Sequence, residues 1–392
     1  MRAIIKPLAA VVIVVVAAWL GLWWFAQREL ENGFTQWAKG LSSGGDVQVS
    51  YDSIEPSGSP LVAMLTVNNL RVVVQPSPAA APLVVTLPAF AMEIDATAPL
   101  LLHFVLPNRI NISADHGDFV LTFGSIAQTE RLDLSALLRR EPAPFSAMDT
   151  KARNIDLLAS SGSLMVLHAD SYQTHNIFNR QAGAGQSAFT SSGAVDGMAV
   201  SPLLTRLASI PFDGRVAHLG WNLNIDGPEP ADWAALAARY KAVPADDSDG
   251  RTRIVAQALH DWAAHGGTGA GTIDLAVGPS TLHAAGDMAF DAQVQPKGHA
   301  TLLADHLDAF AAAIVAAYPQ VQDTVHAMEA RLSPYLSSTP QGGQTLTFKA
   351  TYGNGAVMVN GQKIGSLPPV DWSHLETAPP QQAPGDGSGA AL

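Results

Sequence analysis

The chain has 392 residues, 47% of them hydrophobic, which is enough to bury one large core or two ordinary ones and excludes wholesale disorder. Its 22 Lys and Arg residues and 34 Asp and Glu residues give a net charge of −12. The phosphates of a nucleic acid repel so acidic a protein, so we expect no nucleic-acid partner. The absence of cysteine excludes disulfides, thiol catalysis and thiolate metal sites.

The stretch from residue 7 to residue 25 has no charged side chain. At about 1.5 Å per residue, a helix of this length covers roughly the 30 Å hydrocarbon core of a bilayer. Trp23 and Trp24 stand at its C-terminal end, where indole rings favour the membrane interface. We therefore expect a transmembrane helix here, and we assign residues 1–26 to a cytoplasmic stub and membrane anchor.

The charges around this stretch predict its orientation. Arg2 and Lys6 precede it, whereas Arg28 and Glu29 nearly cancel behind it. The positive-inside rule then places the N-terminus in the cytoplasm and the rest of the chain in the periplasm of a bacterial inner-membrane protein. The alternative is a cleaved secretory signal, but bulky residues follow the apolar stretch where cleavage needs small ones.

Beyond the anchor, residues 27–44 are predicted to form a juxtamembrane helix and linker, because Leu30, Phe34 and Trp37 recur at helical spacing. Residues 45–372 form the predicted periplasmic β-rich domain. Residues 373–392 are rich in Pro, Gly, Gln, Ala and Ser without periodicity, which is typical of a disordered tail.

Apolar and polar residues alternate through most of the β-rich domain, and the pattern changes face at Asn68 and Asn69, which indicates a turn or bulge there. Alternation predicts strands at 65–74, 83–94, 110–114, 119–123, 155–158, 164–169, 221–225, 273–277, 288–294, 346–352 and 357–359. Helical spacing predicts helices at 202–210, 233–240, 255–262, 303–314 and 321–332. The expected fold class is a strand-dominated α+β protein: one N-terminal transmembrane helix, then a large curled antiparallel β-sheet with a few packed helices.

Several motifs resemble the alphaproteobacterial domain-of-unknown-function 2125 family. They are Gly58 and Pro60 before the first long strand, Gly286-Asp287 with Asp291, Gly298 before Leu302-Leu303, and the ending from Tyr352 to Gly365 followed by Pro368. Ser59 departs from the larger residue that the family often has between its Gly and Pro. The family has no assigned activity. Its layout is similar to that of AsmA-like envelope proteins, which implies a long curled sheet held by one anchor helix.

No motif in the chain predicts catalysis or cofactor binding. None of the twelve histidines has HxH or HExxH spacing, and no serine lies in a GxSxG elbow. Gly266 to Gly271 follows a helix and precedes a strand, the reverse of a dinucleotide-binding loop, so it is interpreted as a helix stop. We therefore predict no catalytic residue, no metal ligand and no cofactor.

Three functions remain open. The first is an anchored periplasmic protein that binds a lipid or another amphipathic envelope molecule in an apolar groove of the sheet. The second is a non-catalytic envelope scaffold that docks a protein partner. The third is an enzyme, for example a hydrolase, whose site is assembled from distant residues. If a groove exists, its predicted lining includes Leu65, Val67, Leu70, Val72, Phe90, Met92, Leu121 and Phe123, although each taken singly is also compatible with ordinary core.

Overall fold

The computed structural model describes residues 2–42, 46–59, 61–75, 80–139, 145–159, 162–228, 233–244, 247–338 and 343–372. Residues 43–45, where the predicted linker meets the predicted β-rich domain, and the predicted tail at 373–392 lie outside these residues. Within them, eighteen strands form a single antiparallel sheet accompanied by a few helices. The strand-dominated α+β class and the large antiparallel sheet expected from the sequence are therefore confirmed.

The strands are β1 Val47–Ser50, β2 Ser53–Ser59, β3 Val62–Val74, β4 Leu83–Asp95, β5 Leu101–Val105, β6 Arg109–Ala114, β7 Gly117–Leu132, β8 Phe145–Ala159, β9 Leu164–Phe178, β10 Ser187–Val200, β11 Arg215–Asp226, β12 Thr268–Val277, β13 Ser280–Phe290, β14 Pro296–Asp305, β15 Leu336–Ser338, β16 Gln344–Gly353, β17 Ala356–Val359 and β18 Gln362–Ser366. The α-helices are α1 Arg2–Ser42, α2 Leu134–Leu138, α3 Pro202–Leu207, α4 Trp233–Ala242, α5 Ser248–Ala264, α6 Leu307–Ala317 and α7 Gln322–Leu332.

The sheet is a long meander in which neighbours in the sheet are, with few exceptions, neighbours in the chain. From β7 to β14 each strand pairs with the next one. Short strands share an edge at three places: β1 and β2 both pair with β3, β5 and β6 both lie between β4 and β7, and β15 and β17 both pair with β16. Consecutive hairpins of this kind need only short connections.

The change of face at Asn68 and Asn69 is present, but the expected turn or bulge is not, because β3 continues through this point in an unshifted register with β4. Asn69 has a φ of 51°, and β3 and β4 both change the face of their apolar residues across this point. Asn154 in β8 has a φ of 49° and produces the same effect between β7 and β8. Asparagine tolerates this left-handed conformation better than most residues, which lets a long strand change face without ending.

The predicted strand at 288–294 and the predicted helix at 303–314 both exist, but one boundary of each is wrong. The strand expected to reach residue 294 ends at Phe290, because Val294 has a φ of 58° and Asp291 N–H donates to Gln295 O at 2.9 Å, closing a turn. The helix expected from residue 303 begins only at Leu307. Leu303 instead lies in β14, opposite His283, because a second strand follows the turn directly.

A transmembrane helix was expected at residues 7–25. In the part of the chain that the structure describes, no helix combines the length and the apolar composition needed to cross a membrane. The side chains of residues 2–20 and of Leu22 lie outside that part, although the backbone of α1 is helical throughout.

The main hydrophobic core lies between the C-terminal half of α1 and strands β3 and β4. Leu30 and Phe34 of α1 are buried there against a set of sheet residues: Ala63, Leu65, Val67, Leu70, Phe90, Met92 and Leu102. The Phe34 ring lies 5.4 Å from that of Tyr51 and 5.8 Å from that of Phe90, within the range for aromatic pairs. Two residues of the helical pattern predicted from the sequence, Leu30 and Phe34, thus bind the sheet. The third residue of that pattern, Trp37, is 44% exposed.

Removing the Phe34 ring should destabilise the whole sheet. We expect Phe34→Ala to lower the free energy of unfolding by about 3–5 kcal/mol, since it leaves a cavity in the core. Chemical denaturation of the full chain, followed by tryptophan fluorescence, measures the change. Glu31→Ala, an exposed position on the same helix, is the matched control, and an equal effect of both variants would contradict the packing described.

Candidate functional site

The register of the sheet separates its residues into two chemically different faces. Residues directly opposite each other in paired strands lie on the same face. One continuous row on the first face comprises Leu65, Met92, Phe104, Gln128, Thr150, Thr174, Gly193, Trp221, Ile273, Ala284, Leu302 and Phe348. A row on the other face comprises Glu93, His103, Thr129, Asp149, His175, Ser192, Asn222, Thr272, Ala285, Thr301 and Lys349. We call them the apolar face and the polar face.

Among the described residues, helices cover the apolar face at its flank and at the strand ends. The helix α1 covers β3 and β4. The ring of Trp262 in α5 lies 5.9 Å from that of Phe290 at the end of β13, and Tyr335 after α7 lies 5.7 Å from Phe348 of β16. Phe310 of α6 contacts the turn before β11. Away from their ends, β11 and β12 have no substantial contact with a described helix.

The uncovered part of this face forms what we call the open apolar field. Its members are Trp221, Leu223, Gly271, Ile273, Ala284 and Leu302. Leu223 is 39% exposed and Ile273 is 50% exposed, which is unusual for large aliphatic side chains on the face that elsewhere forms the core. The small residues Gly271 and Ala284 lie among the large side chains and leave depressions between them.

A group of polar residues interrupts the apolar face next to the open apolar field. This polar island comprises Gln128, Glu130, Thr150, Thr174, Asn176 and Ser191, on β7 to β10. Trp221 connects the two regions, because its Nε1–H donates to Ser191 Oγ at 3.2 Å. The apolar face therefore presents an apolar surface and a hydrogen-bonding surface side by side.

Glu130 is the most unusual member of the polar island. It is only 7% exposed, and its register partners are Leu102 and Met148. Gln128 Nε2–H donates to Glu130 Oε1 at 3.0 Å, whereas Oε2 has no hydrogen-bond partner among the described residues. Burial raises the pKa of Glu130, and the hydrogen bond from Gln128 opposes this increase. A buried acceptor without a donor is costly to the folded state.

All eight predicted groove residues lie on the apolar face, but the structure divides them into two groups. Leu65, Val67, Leu70, Phe90 and Met92 are buried in the core beneath α1. Val72, Leu121 and Phe123 are half-buried; Val72 packs at the edge of that core, while Leu121 and Phe123 lie on β7, opposite Leu157 and Ile155. Their role in ligand binding stays a prediction, and sequence reasoning did not identify the open apolar field.

The polar face carries five Asp and His pairs that face each other across neighbouring strands. The pairs are Asp149–His175, Asp156–His168, Asp196–His218, Asp274–His283 and Asp287–His299, with N···O distances between 2.6 and 3.1 Å. Sequence reasoning missed them because it searched for ligands close in sequence. The tight hairpin between β12 and β13 was the available signal, since it places residues 274 and 283 opposite each other.

In two of these pairs the contact shifts the pKa of one member. His168 hydrogen-bonds Asp156 through Nδ1 at 2.7 Å and Asp170 through Nε2 at 3.1 Å, and both contacts raise its pKa. Hydrogen bonds from His218 and Ser171 lower the pKa of Asp196. Among the described residues, no three acidic or histidine side chains are grouped closely enough to hold a metal ion.

Ser171, Asp196 and His218 converge in a way that bears on the enzyme hypothesis. Ser171 Oγ–H donates to Asp196 Oδ2 at 2.9 Å, while His218 Nδ1 contacts Asp196 Oδ1 at 2.6 Å. The carboxylate thus stands between the serine and the histidine. In a hydrolytic triad the histidine stands in the middle and removes the serine proton. The order in this group does not activate Ser171.

Replacing the buried carboxyl group tests the polar island. A carboxyl group whose pKa is raised by folding contributes most to stability when protonated, and the free energy of unfolding falls as the pH rises from its ordinary value of 4.5 through the folded value. Glu130→Gln cannot titrate, so the melting temperature of this variant should lack that decrease and exceed that of the parent chain at alkaline pH.

Thermal unfolding measured across a pH series checks this expectation. Glu93→Gln, on the polar face, is the matched control and should follow the parent chain. Superimposable pH profiles for the parent and Glu130→Gln would show that the carboxyl group is not buried in the folded protein.

Two glycines of the motifs quoted above stand where a side chain would collide with the backbone. Gly58 has a φ of 103°, and a Cβ there would lie 2.1 Å from Val62 O across the turn between β2 and β3. A Cβ on Gly298 would lie 2.1 Å from Asp287 O of the neighbouring strand. Both positions therefore require glycine for steric reasons.

Comparison with known proteins agrees with these motifs. No curated protein and no solved structure gives a significant match to the chain. A family model described as "Uncharacterized protein conserved in bacteria (DUF2125)" matches residues 23–368, from the last residues of the apolar stretch to two residues beyond β18. The chain therefore belongs to the DUF2125 family of uncharacterised bacterial proteins.

Proposed function

We propose that the protein binds a lipid or a similar amphipathic envelope molecule on the apolar face of its sheet. The observation that carries the proposal is the open apolar field beside the polar island. An acyl chain lying on Trp221, Leu223 and Ile273 would remove exposed apolar surface from water, worth about 25 cal/mol per Å² buried. The ligand's polar group would then reach the polar island and offer a donor to Glu130 Oε2.

The chemistry of this face favours an amphipathic ligand over a purely apolar one. A hydrocarbon would leave the unpartnered oxygen of Glu130 as it is, whereas a hydroxyl, amide or ammonium group would supply its missing hydrogen bond. Binding sites for small amphipathic molecules combine apolar walls with few polar groups in this way.

We further propose that residues 7–25 anchor the chain in the bacterial inner membrane and that the sheet lies in the periplasm. The uncharged sequence, the tryptophans at its end and the two positive charges before it support this assignment. An anchored binding protein takes its ligand from, or returns it to, the membrane in which it is held.

An envelope scaffold is the second candidate, and the last strand favours it. Every residue of β18 is exposed and Ile364 is 57% exposed. Among the strands that the structure describes, β18 pairs with β17 alone. An exposed strand edge can add a strand from another protein. This surface lies at the edge of the sheet, so a partner bound there would not depend on the open apolar field.

Introducing a negative charge on either face of the sheet distinguishes lipid binding from the scaffold function. We expect Leu223→Asp and Ile273→Asp to abolish the lipid that copurifies with the full chain extracted in mild detergent, because a carboxylate in the field opposes an acyl chain. Native mass spectrometry measures the retained lipid. The matched controls are Asn222→Asp and Thr272→Asp, the adjacent residues on the polar face, which should retain it.

Thermal unfolding keeps this experiment interpretable, since both apolar positions are exposed and their variants should remain folded. Equal lipid retention by all four variants would contradict binding on the apolar face. A parent chain without lipid that instead crosslinks a partner through β18 would favour the scaffold.

A further inference from the structure

The helix α1 lies along the sheet in a direction that identifies one end of the strands. Ser42, its last residue, accepts a hydrogen bond from Val49 N–H at 3.1 Å, near the end of the sheet where β1 begins. Trp23 Nε1–H donates to Val62 O at 3.4 Å, at the start of β3 and therefore at the opposite end. Trp23 of α1 therefore lies at this second end of the strands, which we call the Trp23 end.

Three connections lie side by side at the Trp23 end. Ala96 N–H, after β4, donates to Leu61 O in the turn between β2 and β3 at 2.9 Å. Leu132 N–H, at the end of β7, donates to Leu100 O at 2.8 Å. The short helix α2 follows β7 directly and is capped by Asp133, whose carboxylate accepts from Ser135 N–H and Ala136 N–H. The connections therefore form one continuous rim.

Leucine side chains project from this rim into solvent. Each of the three connections contributes at least one, and the exposed fractions are 60% for Leu61, 38% for Leu100, 55% for Leu134 and 78% for Leu138. Trp24 and Phe25 of α1, at the same end, are also more than half exposed. Aromatic and aliphatic side chains in such an arrangement suit the boundary between lipid headgroups and acyl chains.

Basic residues accompany the leucines. A cavity of about 440 Å³ between α2 and the turn after β9 is lined by Arg131 and Arg180, together with Asp133, His175 and the apolar ring of Phe178. Guanidinium groups bind phosphates in two-point geometry. The Trp23 end thus combines apolar tips with groups that suit a phospholipid headgroup.

We propose that the Trp23 end rests on the lipid bilayer, with Leu61, Leu100, Leu134 and Leu138 inserted into the interface. The occupant is identified by continuity, because the uncharged stretch of residues 7–25 is part of α1 and reaches the sheet at this same end, through Trp23. This inference rests on the proposed anchor. It places the strands upright on the membrane, so that the apolar face begins at the bilayer surface and a lipid can pass from one to the other.

A single introduced cysteine tests the orientation cleanly, because the chain has no cysteine of its own. Leu138→Cys in α2 is labelled with an environment-sensitive fluorophore. Leu207→Cys in α3 is the matched control: Leu207 is 75% exposed and also lies on a short helix, but at the opposite end of the sheet. Each labelled full-length chain is reconstituted into vesicles of phosphatidylethanolamine and phosphatidylglycerol that contain a doxyl-labelled lipid quencher.

We expect the probe at position 138 to shift to shorter wavelength and to lose most of its emission to the quencher, while the probe at position 207 keeps its aqueous spectrum. A probe at 138 that stays unquenched, or equal quenching at both positions, would overturn the orientation. Flotation of the same vesicles distinguishes a wrong orientation from a missing anchor. A chain that floats with the vesicles while its probe at position 138 stays unquenched refutes only the orientation. A chain that fails to float refutes the proposed anchor as well.

Discussion

The structure depends on one constraint, the strict alternation of side chains in strands that are paired in register. Because opposite residues share a face, a sheet that extends from β1 to β18 accumulates its apolar residues on one side and its charged residues on the other. The left-handed residues Asn69 and Asn154 preserve this separation, since paired strands change face together at these points. One side of the sheet therefore has to be covered, and its helices cover only part of it.

The distribution of the helices explains why the middle of the sheet is exposed. The aromatic and leucine face of α1 forms the main core with β3 and β4, where Leu65 and Val67 have no exposed surface. The later helices contact the ends of β13 and β16, and Leu223 and Ile273 between them stay accessible. The unpartnered oxygen of Glu130 lies on the same face of the sheet, on β7, four strands away from β11. Apolar exposure and an unmet hydrogen bond on one face are costs to stability that an amphipathic ligand would relieve.

Much of this architecture could be predicted from the sequence, and the failures have physical causes. Leu65, Val67, Leu70 and Val72 indicated both β3 and its change of face, because the alternation is local. The strand β10 was missed, because Ser191 and Gly193 occupy its positions on the apolar face and erase the hydrophobic period. The groove residues were predicted on the correct face, but which of them α1 would bury depends on a contact between segments distant in sequence. The Asp–His pairs likewise arise from register between strands.

Photocrosslinking of a bound lipid tests directly whether the ligand lies on the apolar face of the sheet. The full-length chain is loaded with a fatty acid that carries a carbene-generating group along its acyl chain, irradiated and digested, and the modified residues are identified by mass spectrometry. If the lipid lies on the apolar face, adducts form on Trp221, Leu223 and Ile273 and alternate with unmodified Asn222 and Thr272. Adducts on the polar-face residues, or equal modification of both faces, would contradict it.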